Sequence, residues 1–259
     1  MKNFLLKLSV LLFLAAPAAA AEVVEREMKC PLCGRDFYAQ LDVPDADYEM
    51  RLDLKPLGAL PGPWRLPECP GCGLVIYSSR LPKEELARAL RIAASPDYLK
   101  HAARSTYYKT GVLYGLLGKP DYLLANTFLK ASWQEEASPA LLREDLELSL
   151  KHFTACAAAC KGAEQENSKL LMGELLRRLG RFAEASAHLS ALKTDKGFQN
   201  NFFADIVEFQ LALCAKQDAR VYEMIDVKVA KLPFFARTRW RAKKLSLQLW
   251  DSLKKAAGR

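Results

Sequence analysis

The spacing of apolar residues changes along this chain, and the change predicts two structural parts. Before residue 80, apolar residues alternate with polar ones or form brief clusters between prolines and aspartates, which is typical of short strands and turns. From Leu81 to the end they recur at helical spacing. This pattern predicts nine helices, over residues 83–94, 96–117, 120–136, 139–160, 166–179, 182–193, 201–216, 219–230 and 233–255. The chain is therefore predicted to be a small β module followed by an all-α array.

Strand signals are confined to the first part. Residues Val23 to Lys29 alternate loosely, and Phe37-Tyr38 and Leu74 to Tyr77 are typical of extended chain. Arg51 to Leu54 could add a short strand. The segment from Asp42 to Glu68 is rich in proline and aspartate, which permits extended or turning chain but not helix. We expect that segment to be a solvated connector.

One helical segment follows the pattern of a tetratricopeptide repeat. Met172-Gly173, Leu179-Gly180-Arg181-Phe182, Ala185 and Leu189 alternate small and large residues as two closely packed antiparallel helices require. A looser echo lies upstream, from Gly111 to Leu129. The second copy is imperfect. The sequence therefore predicts a tetratricopeptide-like array, with an irregular helical bundle as the alternative.

Two cysteine knuckles carry the clearest chemistry. They are Cys30-Pro31-Leu32-Cys33-Gly34 and Cys69-Pro70-Gly71-Cys72-Gly73. A two-residue spacer lets both thiolates of a knuckle reach one ion, and two knuckles supply the four sulfur ligands that tetrahedral Zn²⁺ accepts. The predicted metal ligands are thus Cys30, Cys33, Cys69 and Cys72. Because protein sulfur would fill all four positions, the predicted zinc is structural and not catalytic.

The charge and the amino terminus bear on the state of these cysteines. The sequence predicts a secretory signal peptide over residues 1–21. It has a charged amino-terminal region, an apolar run from Leu8 to Ala16 and an alanine-rich cleavage site. Without Lys2 and Lys7 the formal net charge falls from +8 to +6, and Lys29, Arg35 and Arg65 could offset the charge of a zinc–thiolate centre. Export also makes two structural disulfides, or a C-x-x-C redox couple, alternatives to the metal.

The remaining residues give no signature of catalysis. His101, His152 and His188 are scattered, and no known nucleophile, phosphate-loop or dinucleotide motif occurs. Cys156 and Cys160 share a face of one predicted helix, where we expect small buried packing residues, and Cys214 fits a core position. We therefore predict that the chain is not an enzyme.

The last predicted helix is amphipathic. Phe235, Ala242, Leu245, Leu249 and Leu253 form one stripe, and lysines and arginines occupy much of the remaining circumference. The stripe predicts a helix that caps the array. Attachment to an anionic membrane surface is the alternative, whereas the predicted export argues against nucleic acid as a partner.

The knuckles and one helix together resemble a known family. Paired knuckles around a Pro- and Asp-containing insert, followed by Tyr122-x-x-Ala125-x-x-Phe128-x-x-Ala131-x-Trp133, resemble the bacterial family called domain of unknown function 2225. The likeness covers most of residues 27–215. It implies a zinc ribbon joined to tetratricopeptide-like helices and metal binding, without an established reaction. The signal peptide departs from that family and leaves the thiol state open.

These observations predict an exported protein in three segments: a signal peptide at 1–21, a zinc-ribbon domain with its insert at 22–80, and an α-helical repeat-like domain at 81–259. The predicted location is periplasmic or extracellular. The predicted function is a scaffold that binds a protein or peptide on its helical array. A thiol–disulfide oxidoreductase and a peripheral membrane-surface adaptor are the alternatives.

Overall fold

The computed structural model describes residues 23–42, 49–58, 65–78, 81–195, 198 and 201–257. The predicted signal peptide lies outside this part of the chain. Strands come first and helices follow, as the change in apolar spacing predicts.

Two short antiparallel hairpins make up the β structure. Strands β1 (Val23–Lys29) and β2 (Asp36–Asp42) pair from Val23↔Asp42 to Lys29↔Asp36, so that the first knuckle forms their connection. Strands β3 (Glu49–Met50) and β4 (Pro56–Leu57) pair around the turn that contains Arg51 to Lys55. The strand predicted at Arg51 to Leu54 is therefore a turn between two strands.

The predicted closing strand at Leu74 to Tyr77 does not form a ladder. It makes one isolated bridge, between Glu68 and Val75, and Ile76 donates to the carbonyl of Pro67 at 2.8 Å. Pro67 and Pro70 flank the bridge, and proline has no N–H to extend the pairing.

Ten helices follow within the described residues. They are α1 (Lys83–Ala93), α2 (Pro96–Leu99), α3 (Thr106–Leu117), α4 (Asp121–Gln134), α5 (Pro139–Ala159), α6 (Ala163–Arg178), α7 (Phe182–Thr194), α8 (Asn201–Cys214), α9 (Met224–Ala230) and α10 (Phe234–Ala257). Most bounds lie within three residues of the prediction.

Two predicted helices differ, each because a polar group intervenes. The helix predicted over 96–117 is broken, since the hydroxyl of Ser105 accepts from the N–H of Tyr108 and starts α3 there. The helix predicted from 219 starts at Met224. Arg177 of α6 donates to the carbonyls of Asp218 and Arg220 at 2.6 and 2.9 Å, which holds this stretch outside a helix.

The helices from α3 to α8 pack each on the next, and α6 also contacts α8. Gly173 of α6 lies directly against Leu189 of α7, as the small-residue pattern predicts. The main core runs through this array and contains Phe153, Leu175 and Ile206.

The turn of the β3–β4 hairpin is buried against the array, which corrects the expectation of a solvated connector for this part of the segment. Leu52 lies in the main core, and its N–H donates to the carbonyl of Tyr222 at 2.9 Å. Arg51 and Asp53 beside it are also buried. The connector was expected from composition alone, whereas its burial depends on partners far along the chain.

The first hairpin and both knuckles share a second core with the start of the array. Cys30, Phe37 and Leu74 pack in one cluster with Ala89 of α1 and Leu113 of α3. The β module therefore shares its apolar core with the helices α1 and α3.

The last helix, α10, directs its apolar stripe away from the array, whereas the predicted cap would have packed that stripe against it. Its apolar stripe is exposed to solvent, and its contacts with the array run through α9. Among the described residues, no helix combines the length and hydropathy that a bilayer crossing requires.

Candidate metal centre

The first knuckle is a tight turn held by backbone hydrogen bonds around Cys30. The N–H of Cys30 donates to the carbonyl of Arg35 at 2.8 Å, and the N–H of Gly34 donates to the carbonyl of Cys30 at 2.9 Å. The N–H of Leu32 also points at the Cys30 sulfur, at 3.4 Å. Gly34 has φ +72°, a conformation that glycine adopts without steric cost.

The second knuckle repeats this geometry. Cys69 donates to the carbonyl of Leu74 at 2.9 Å, and Gly73 donates to the carbonyl of Cys69 at 2.9 Å with φ +70°. The N–H of Gly71 lies 3.4 Å from the Cys69 sulfur. The same five-residue pattern thus folds into the same turn twice, with N–H groups directed at sulfur.

The two turns bring four sulfur atoms together. Every Sγ of Cys30, Cys33, Cys69 and Cys72 lies within 4.8 Å of the others. The contacts between knuckles are 3.5 Å for Cys30–Cys72 and 3.6 Å for Cys33–Cys69. A tetrahedron with metal–sulfur bonds of about 2.3 Å has edges of about 3.8 Å, whereas a disulfide bond is about 2.05 Å. The four cysteines lie close enough to hold a metal ion.

The four cysteines differ in how far they are buried. Cys30 and Cys69 are 1% exposed, Cys72 is half-buried and Cys33 is exposed. Burial opposes ionisation of Cys69, but the N–H groups of Gly71 and Cys72 and the thiols of Cys30 and Cys33 together outweigh it and lower the pKa of Cys69 to about 7. Burial raises the pKa of the Cys72 thiol to about 12. A divalent cation would displace the remaining protons, because thiolate is the form that binds metal.

A cation from the first knuckle lies against the second. A methyl group built on Gly71 would lie 2.9 Å from Nε of Arg35. The guanidinium group of Arg35 therefore covers the second turn. This position fits the expectation that Arg35 offsets thiolate charge. Immediately before Cys69, Glu68 is paired with the buried Lys109 of α3 at 2.5 Å.

Tyr98 of α2 supports the second knuckle from the helical side. Its hydroxyl accepts from the N–H of Val75 and lies 3.4 Å from the carbonyl of Gly73, to which it can donate. Burial raises the pKa of Tyr98 to about 12, so the hydroxyl keeps its proton. Sequence reasoning missed this residue, because a single tyrosine in a short helix carries no signal of a contact with a distant turn.

The other cysteines do not join the centre. Cys156 and Cys160 form a disulfide, with Cα atoms 5.0 Å apart at the end of α5, where separate packing residues were expected. Their shared helical face was anticipated, but the pairing was not. Cys214 is a buried free thiol in the main core, as expected.

The three histidines have structural surroundings. His152 contacts Asp121 at 2.7 Å, His188 contacts the carbonyl of Lys169 at 2.6 Å, and His101 packs on the ring of Tyr108. His152 lies on α5, His188 on α7 and His101 in the turn after α2. These contacts bring no two histidines together at one site.

A groove of about 530 Å³ lies beside the metal centre. It runs between β1, residues 65–67, residues 74–78 and α1. Its walls include apolar side chains such as Met28, Ile76 and Leu90, and charged residues of both signs, Arg26, Glu27 and Lys29, are exposed on β1 beside them.

No family model matches this chain, and neither a curated protein nor a solved structure matches it. The resemblance to the domain of unknown function 2225 therefore stays a prediction.

Proposed function

We propose that Cys30, Cys33, Cys69 and Cys72 bind one structural Zn²⁺ in an exported, non-enzymatic scaffold for a protein or peptide partner. The observation that carries this proposal is the closed set of four sulfurs, supplied by two turns of identical geometry. Zinc fits better than calcium or magnesium, because those ions prefer oxygen ligands.

The closed donor set favours a structural role. Four protein sulfurs fill a tetrahedral shell and leave no position for water or substrate, which a catalytic zinc needs. The sulfurs also come from chain segments on either side of the β3–β4 hairpin. One ion would thus join both knuckles and fix the ends of the insert between them.

The thiol–disulfide alternative has one observation in its favour, the lowered pKa of Cys69. That sulfur is 1% exposed, however, and an attacking thiolate has to be accessible to its substrate. Neither knuckle stands at a helix start, where redox C-x-x-C pairs obtain their activation; β2 follows the first knuckle and extended chain follows the second. We therefore rank this function below the structural one.

For the scaffold, we propose a tetratricopeptide-like arrangement of α3 to α8 and a peptide site in the groove beside α1. The sequential packing of the helices and the close approach at Gly173 support the first part. The apolar walls of the groove support the second and favour an extended peptide with apolar side chains.

The test is metal analysis with thiol counting on the full chain purified from the exported fraction. We expect one zinc per chain, with the four knuckle thiols protected until a chelator is added, and no reductase activity on a disulfide substrate. Cys33→Ser should lose the zinc, whereas Cys214→Ala, outside the centre, should keep it. Metal-free protein with oxidised knuckle cysteines would reject the proposal.

A further inference from the structure

The terminal helix α10 attaches to the array through its polar side. Lys244 pairs with Glu223 at 2.9 Å and with Asp226 at 3.6 Å, at the start of α9. Its ammonium group also lies 5.1 Å from the ring centre of Trp240. Arg237, Trp240 and Lys244 are half-buried and share one face of the helix.

The opposite face of α10 is apolar and exposed. It carries five large side chains with exposed fractions of 60 to 84%: Phe234, Phe235, Leu245, Leu249 and Leu253. At 100° per residue they fall within an arc of roughly 100°, the width of an amphipathic stripe. Burial of such a stripe against the array is the usual arrangement, so its exposure here requires another partner.

The charge of the helix indicates what that partner is. Residues 234–257 contain seven lysines and arginines and one acidic residue, Asp251. Arg239 and Lys243 are exposed and lie next to the apolar arc on the helix surface. An apolar face with adjoining cations matches the boundary between acyl chains and anionic headgroups.

We propose that α10 binds the surface of an anionic lipid bilayer and lies in the interface plane with its phenylalanine and leucine face inserted. This inference goes beyond the proposed scaffold and does not depend on the metal. A second copy of the chain fits less well, because two such helices would bring like charges together and because Thr238 and Ala242 interrupt the large apolar residues along the stripe.

The test uses the full chain and lipid vesicles of phosphatidylcholine with or without phosphatidylglycerol. We expect sedimentation with the anionic vesicles, weaker binding at raised salt, and little binding to neutral vesicles. Leu249→Ser should lower the partition coefficient of the chain onto anionic vesicles about tenfold, because a large apolar side chain no longer enters the interface. The matched control is Leu247→Ser, also exposed but on the other side of the helix, and it should bind as the parent does.

Both substitutions are at exposed positions, so the array should stay folded, which circular dichroism checks. Absence of binding to anionic vesicles would overturn the proposal. Equal losses for the two variants would overturn it as well. A concentration-dependent dimer that Leu249→Ser abolishes, without any vesicle binding, would assign the face to a second copy instead.

Discussion

Gly173 shows how one missing side chain permits two helices to approach. A methyl group at this position would overlap Cδ2 of Leu189 and lie 3.1 Å from Oε1 of Gln210. Both neighbours are completely buried, so they have little room to move. The contact therefore depends on the absence of a β-carbon.

We expect Gly173→Ala to lower the free energy of unfolding by about 1–3 kcal/mol, the usual cost of overpacking a core. Gly115→Ala is the matched control, because the new methyl group would meet only Leu124, at 3.6 Å. Alanine is the better helix former, so the control should be neutral or stabilising. Urea unfolding of the two variants measures this, and equal stabilities would contradict the packing at Gly173.

Asp145 is a buried acid within a polar cluster at the α4–α5 junction. Arg104 donates to Asp145 at 2.8 Å and to Glu135 at 2.8 Å, and it also contacts Glu144 at 2.9 Å. Burial first, and then the neighbouring Glu135 carboxylate, raise the pKa of Asp145 to about 9, against the attraction of Arg104. At neutral pH this carboxyl therefore holds its proton in the folded chain.

The raised pKa predicts a pH-dependent stability with a definite sign. Between the ordinary pKa of 3.8 and about 9, the folded state binds a proton at Asp145 that the unfolded state has released. Stability is thus lost as pH rises through this window. Asp145→Asn removes this titration, so its stability relative to the parent should rise from pH 5 to pH 8, by at most about 1.4 kcal/mol per pH unit. Parallel pH profiles from urea unfolding would show that the group does not titrate in this window.

Among the secondary-structure elements, the β3–β4 hairpin connects the two parts of the chain. Asp53 pairs with Arg51 at 2.5 Å and with Arg178 of α6 at 2.6 Å. Glu136, beyond the end of α4, pairs with Lys55 at 2.6 Å and also contacts Arg51. The side chain of Asp53 is 1% exposed, and these two guanidinium groups lie against its carboxylate.

Asp53→Ala should be strongly destabilising. It leaves Arg178 buried without this carboxylate and removes one of the two carboxylates that Arg51 contacts, and breaking a buried pair costs about 3–5 kcal/mol. Asp97→Ala removes a pair with Lys100 whose two side chains are largely exposed, so it should cost no more than about 1 kcal/mol. Thermal or urea unfolding compares the two, and a small loss for both would mean that the hairpin contributes little to the array.

The sequence predicts those elements that depend on local rules. The knuckles follow from a repeated five-residue pattern, and the helices from apolar spacing, so both were predicted with their residues. The docking of the hairpin was missed, because Asp53 and Arg178 are separated by 125 positions. Periodicity finds the stripe on α10, but it does not say whether the array or another surface covers that stripe.

At the scale of the whole molecule, the insert connects the candidate metal centre to the array. The chain from Cys33 to Cys69 contains the hairpin, and each of its ends is a predicted zinc ligand. An ion would hold the two ends of the insert together. This lowers the conformational entropy of the unfolded insert, and the structure that the insert forms becomes more stable relative to the unfolded state. Removal of the ion should therefore loosen a contact that lies outside the centre.

Hydrogen exchange measures this coupling at the N–H of Leu52, which donates to the carbonyl of Tyr222. A chelator should speed exchange at Leu52 as well as at the knuckles, while amides in the middle of α5 and α6 should change much less. Faster exchange at the knuckles alone would show that the two parts are energetically independent.

The central claim is that four sulfur atoms share one zinc ion, and X-ray absorption at the zinc edge of the purified chain tests it most directly. The account predicts a first shell of four sulfurs at about 2.3 Å, with no lighter ligand. A first shell that includes nitrogen or oxygen would contradict it, as would a chain that binds no zinc and has its knuckle cysteines oxidised.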